Sequence, residues 1–172
     1  VTLEVSSIPR AQPLDIAKVL SEIKKTLEGK GYWEARRILK QRVAQEDWIA
    51  QTWVSFDFPQ KLQVTFVPRY IWGYVFLADQ KRFRALTAQG DLLRTPVVAR
   101  KVADVAQQVH IQGRTPEKQL LQQIQKDYDR LNEVVSRFGL SISQYAVEPA
   151  EGAKAYLSNG VSIVQPNLWD EQ

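Results

Sequence analysis

The apolar residues of this chain change period at Trp48. Before it, Ile16, Val19, Leu20, Ile23 and Leu27 recur at helical spacing, and Ala35, Ile38, Leu39 and Val43 repeat the pattern on a second segment. After it, Val54, Phe56 and Phe58 share a face opposite Ser55 and Asp57. Beyond the break at Pro59-Gln60-Lys61, Leu62, Val64 and Phe66 alternate with Gln63 and Thr65. A 3.6-residue period suits a helix with one buried stripe, and a period of two suits a half-buried strand, so the pattern predicts two helices followed by a hairpin. Leu3 and Val5 form a short strand ahead of them, ended by Pro9 and Pro13. Asp15 opens the first helix, and Gly29 and Gly31 stop it. Residues 1–69 thus read strand, helix, helix, strand, strand, and one sheet with both helices on one face would bury every stripe.

At Pro68-Arg69 the pattern changes again, which sets a domain boundary and a second unit over 70–172. Tyr70, Trp72, Tyr74 and Phe76 open a strand apolar on both faces. Short strands over 83–86 and 92–93 flank the turn Ala88-Gln89-Gly90-Asp91, and a short helix is expected within 97–108. The strongest element follows Thr115-Pro116. Leu120, Leu121, Ile124, Tyr128, Leu131, Val135 and Phe138 keep helical spacing up to Gly139, with Thr115 as the expected N-cap and Gly139 as the stop. Strands over 140–147, 153–157 and 161–164 complete the unit, the last two joined by a hairpin turn at Asn159-Gly160. The fold class is α+β: a β-α-α-β-β domain, then a mostly antiparallel β domain with one long helix.

Composition removes several kinds of chemistry. With no cysteine and a single histidine, His110, the chain has no disulfide, no thiolate nucleophile and no ordinary zinc site, and a structural role is expected for His110. Twenty-three Lys and Arg against nineteen Asp and Glu, intermingled along the chain, describe a solvated surface and no nucleic-acid track. The densest basic stretch, Arg36, Arg37, Lys40 and Arg42, reads as an exposed helix face. Glu46–Asp47 and Asp127–Asp129 read as surface charge, not as a catalytic pair. Gly29-Lys30-Gly31 lacks the spacing of a phosphate loop and reads as a connection between helices. Trp33 and Trp48 read as core staples, and Tyr70, Trp72 and Tyr74 as core before a binding face. No cofactor, metal or catalytic residue is expected. The longest apolar run, 70–78, is of strand length, and a chain that begins at Val1 and contains no Met is expected to derive from a longer gene product.

The stretch from Trp48 to Val64, with its Trp-aliphatic opening, Phe58-Pro59 turn and Leu62-x-Val64 return, resembles the signature of the bacterial cell-division family FtsQ/DivIB. Ala88-Gln89-Gly90-Asp91, His110-Ile111-Gln112-Gly113 and the hairpin 155–163 are similar, in the same order, to that family's β domain. The residues after the return strand, Val67-Pro68-Arg69, depart from its usual Glu and Pro. The usual Leu-Pro before Gly113 and the Gly after the first strand are also missing. Family members normally continue beyond this point with a helix and further strands, including an edge strand that pairs with partners.

The resemblance implies a POTRA domain over 1–69 and a β domain over 70–172. It implies a non-catalytic divisome scaffold on the periplasmic side of the inner membrane, anchored by a single span absent from this chain. Its implied partners are FtsB- and FtsL-like small single-span proteins and further septation proteins, met by strand addition. The matching positions are Gln51, Val54 and Phe56 in the first domain and Tyr156 and Leu157 in the second. For Phe56 and Leu157 core packing is the stronger expectation. Two other readings are a polypeptide-binding POTRA module of a transport or assembly system, and a periplasmic glycan-binding domain using the aromatic strand.

Overall fold

The computed structural model describes residues 2–5, 13–57, 61–104 and 107–166. Its elements run β1 (Thr2–Val5), α1 (Ile16–Leu27), α2 (Tyr32–Val43), β2 (Ile49–Asp57), β3 (Lys61–Pro68), β4 (Ile71–Leu77), β5 (Arg82–Thr87), α3 (Ala99–Val102), β6 (Gln108–Ile111), α4 (Lys118–Ser136), β7 (Ile142–Glu148), β8 (Gly152–Leu157) and β9 (Ser162–Pro166). The fold is mixed α+β. A three-stranded sheet has the order β1-β3-β2, and a six-stranded sheet has the order β5-β4-β6-β7-β8-β9.

In the small sheet β3 is central, parallel to β1 and antiparallel to β2. Its alternation puts Leu62, Val64 and Phe66 on the face covered by α1 and α2, where they meet Ile23, Leu27, Ala35 and Leu39. Trp48, fully buried, packs its ring 6.1 Å from Phe66 and donates its indole N–H to Glu46 at 3.2 Å. Trp33, expected in this core, is instead 75% exposed on the outer side of α2. Helical spacing carries it away from Ala35 and Leu39, the buried positions of that helix.

In the large sheet β6 lies between β4 and β7 and is parallel to both, while the other pairs are antiparallel. Helix α4 covers one face through Leu121, Ile124, Tyr128 and Val135. Tyr128 stands edge-on to Trp72 of β4 at 5.2 Å and to Tyr145 of β7 at 5.4 Å, and the Tyr145 hydroxyl donates to Gln165 of β9 at 2.6 Å. Both carboxylate oxygens of Asp129 accept from the Trp72 indole N–H at 3.0 Å, so this acid, expected on a solvated face, fastens α4 to β4.

The short helix expected within 97–108 is the one-turn α3, and Gln108 begins β6, which also holds His110 and Ile111 and is flanked by strands on both sides. Two expectations are corrected here. Residues 92–93 make no strand but a single bridge, Leu92 to Leu86, and the carbonyls of Leu92 and Leu93 accept from the Arg84 guanidinium at 2.9 Å. Thr115 does not cap α4, whose N-cap position is Glu117. The Thr115 amide and hydroxyl are held instead by Asp79, in the turn after β4, at 2.9 and 2.8 Å. At the other end Gly139 (φ 72°) and Leu140 close the helix as expected: Leu140 N–H reaches Val135 O and Gly139 N–H reaches Ser136 O.

The chain passes from the small sheet to the large one between Pro68 and Ile71, yet one hydrophobic cluster runs through both. Leu14, Ile23, Leu27, Trp48 and Phe66 share it with Ile71, Tyr74, Ala85, Leu93 and Val102. Polar groups reinforce the joint. Asp47 accepts from the Thr95 amide at 3.3 Å, the Thr95 hydroxyl at 2.7 Å and the Arg94 amide. Leu14 bridges Val97, flanked by Asp15 N–H to Pro96 O at 2.9 Å and Val98 N–H to Pro13 O at 2.7 Å. Asp47, expected to be a solvated charge, is therefore a structural acceptor. Replacing it with Ala leaves up to three donors unsatisfied, and we expect Asp47→Ala to lower the unfolding free energy by about 1–3 kcal/mol in urea titration.

Candidate functional site

Among the described residues four strands are outermost, β1 and β2 in the small sheet and β5 and β9 in the large one. β2 pairs only with β3, and β9 pairs only with β8. Each presents a row of backbone donors and acceptors able to take up another strand. Both edges lie beside a cavity.

The first cavity, about 420 Å³, is a groove between α2 and β2. Its helix side is a single stripe, in which Tyr32, Leu39 and Val43 supply apolar surface and Arg36 and Lys40 supply positive charge. From β2 come Thr52 and Val54, two residues apart and so on the same face of the strand. Val54 is 37% exposed, and the hydroxyl of Thr52 is buried without a hydrogen-bond partner. On the opposite face of β2 lie exposed Gln51 and Trp53, the indole 64% exposed.

The second cavity, about 300 Å³, lies on the outer side of β7, β8 and β9 and is lined by Ala146, Lys154, Tyr156 and Val164, with Glu148 and Glu151 at one end. Strand alternation sends Ala153, Ala155 and Leu157 of β8 toward α4, and Lys154 and Tyr156 to the outside, where the Lys154 ammonium sits 5.0 Å from the Tyr156 ring centre.

Of the residues expected to meet partners, Gln51, Val54 and Tyr156 are on the surface. Gln51 and Val54 point to opposite faces of β2, and Tyr156 belongs to the other sheet, so they form two separate patches. Leu157 is a core residue, as the stronger expectation for it had it and against the partner contact that the resemblance implies: 5% exposed, it packs within the cluster beneath α4. The side chain of Phe56 lies outside the described residues. Trp72 and Tyr74 of the aromatic strand are buried, as expected of core residues, whereas Tyr70, expected with them, lies ahead of β4 and is 50% exposed. The sequence reading did not bring Thr52, Arg36 and Lys40 together as the lining of one groove. The signal was present: positions 32, 36, 39, 40 and 43 fall on one helical face, and Thr52 has the same parity as Val54.

His110 packs 5.6 Å from the Phe76 ring and 5.9 Å from the Phe83 ring. Burial holds its pKa below the ordinary value. Among the described residues no group of three His, Asp or Glu side chains could hold a metal ion, and no helix is long and apolar enough to cross a membrane. No protein-family model matches the chain, and no curated protein matches it.

Two measurements follow from these environments. Because the folded pKa of His110 is depressed, the unfolded chain binds a proton first on acidification, so stability should fall once the pH drops below about 6.5, and His110→Gln should remove that part of the urea-midpoint profile. Thr52→Val keeps the shape of the side chain and removes the unpartnered buried hydroxyl, and should raise the unfolding free energy by about 1 kcal/mol in the same titration.

Proposed function

We propose that the chain is a non-catalytic scaffold of the bacterial divisome, the periplasmic part of an FtsQ/DivIB-type protein that recruits and couples septation proteins. Its partners in this reading are FtsB- and FtsL-like small single-span proteins, and its membrane anchor lies in a segment outside this sequence. The first unit is read as a POTRA domain, a reading supported by the strand, helix, helix, strand, strand order of β1 to β3. The observation that carries the proposal is the open edge of β2 beside a groove, since an exposed edge with a pocket for alternate side chains is the apparatus of strand addition. The second edge, β9, with Val164 outward on it and Tyr156 outward on neighbouring β8, supports coupling of more than one partner.

A polypeptide-binding module of a transport system would use the same groove, so the test must be made in the cell. Depletion of the full gene product in its host should give filamentous or undivided cells, and a fluorescent fusion should gather at the septum. Normal division on depletion, with an envelope-assembly defect instead, would overturn the divisome reading in favour of the transport one.

A further inference from the structure

We propose that the groove between α2 and β2 receives an acidic extended polypeptide segment, held by backbone pairing to β2 and by carboxylates on Arg36 and Lys40. This rests on the strand-addition reading above and names the chemistry of the segment.

The charge balance around the groove is one-sided. Arg36 and Lys40 are exposed, four residues apart on the stripe of α2 that lines the groove, and neither makes an ion pair among the described residues. Among the described residues, three acids on or beside α2 are engaged elsewhere. Glu22 and Glu46 hold Arg42 at 3.1 and 3.6 Å, Glu46 also accepts from Trp48, and Glu34 is paired with Lys30 at 3.1 Å. Thus the one basic side chain of this stretch that faces α1 is neutralised, while the two beside the groove are left for an incoming group. A small-molecule reading is less apt, because one wall of the groove is a strand with an unpaired edge, which an extended chain would satisfy along its length.

The groove also has an apolar floor. Leu39 is buried at its base, and Val43 and Val54 face it from either side. A strand laid along β2 turns alternate side chains toward α2, so apolar and acidic residues at those alternate positions meet Leu39, Val43 and Val54 on the floor and Arg36 and Lys40 on the rim. The unpartnered Thr52 hydroxyl lies on the same wall, where a neighbouring strand would come closest. An anionic bilayer is the competing source of negative charge, since the exposed Trp33 is on the same helix. The groove and the open edge favour the peptide, because a lipid headgroup uses neither.

The test uses the 172-residue chain and labelled nine-residue peptides with Val and Glu alternating at the groove-facing positions and Thr between them. A second peptide carries Gln in place of Glu. The acidic peptide should bind roughly tenfold more tightly, the scale of two exposed charge contacts, and the difference should shrink as salt is raised. In Arg36→Gln/Lys40→Gln the two peptides should bind alike, and binding to the parent should shift the NMR amide signals of Thr52 and Val54. Equal binding of both peptides to the parent would overturn the acidic preference and leave strand addition standing. Failure of both to bind or to shift β2 would remove the groove as a docking site, whatever the depletion phenotype. Binding to vesicles of phosphatidylglycerol through the same two cations, uncompeted by the acidic peptide, would replace the peptide with a membrane surface.

Discussion

Between Ile71 and Leu77 the chain has hydrophobic neighbours on both sides of the sheet. Ile71 and Tyr74 point into the cluster shared with the helices of the small sheet, and Trp72, Val75 and Leu77 point into the cluster beneath α4. A strand buried on both faces cannot stand at the surface of a one-layer sheet, so β4 requires a layer on each side. Helix α4 is one, fixed by the contact of Trp72 with Tyr128 and by its indole bond to Asp129. The α1–α2 layer and the segment 93–102 provide the other. Tyr74, fully buried within that packing, has its hydroxyl pKa pushed upward by desolvation.

The two sheets are consequently joined by more than the chain that runs from one to the other. Asp47, at the start of the hairpin strand, gathers the amides of Arg94 and Thr95, and Leu14, ahead of α1, bridges Val97 on the same segment. The segment after β5 therefore touches the first unit at two points far apart in sequence. It pairs with β5 through the Leu86–Leu92 bridge, while the carbonyls of Leu92 and Leu93 accept from Arg84. With β3 and β4 committed to interior packing, the outermost strands are β1 and β2 of the small sheet and β5 and β9 of the large one, and of these β2 and β9 adjoin the two cavities. β9 contains Pro166, a residue that has no N–H to donate to a ladder. The β2 edge carries no such residue over 49–57 and adjoins the basic groove, which makes it the more open of the two to an added strand.

Much of the architecture was legible in the sequence. Hydrophobic period together with the turn residues at Pro59 and Asn159-Gly160 determined two helices, a hairpin, a strand apolar on both faces, a long amphipathic helix and a closing hairpin, because burial of one stripe or one face leaves a direct mark on residue order. The single histidine and the lack of cysteine likewise limited the available chemistry before any coordinate. What depended on partners distant in sequence was not legible. Trp33 and Trp48 look alike in composition, but only Trp48 falls where the two layers meet. Thr115 carries every local mark of a cap, yet Asp79, thirty-odd positions earlier, captures its hydroxyl. Asp47 and Asp129 read as surface charges until Thr95 and Trp72 are brought against them. The groove on α2 and β2 is of the same kind: its two walls have separate periods, and only their packing places Arg36 and Lys40 beside Thr52 and Val54. Local periodicity determined the elements, and the tertiary structure decided which side chains remain unpaired, since that is set by long-range neighbours that no short stretch of sequence contains.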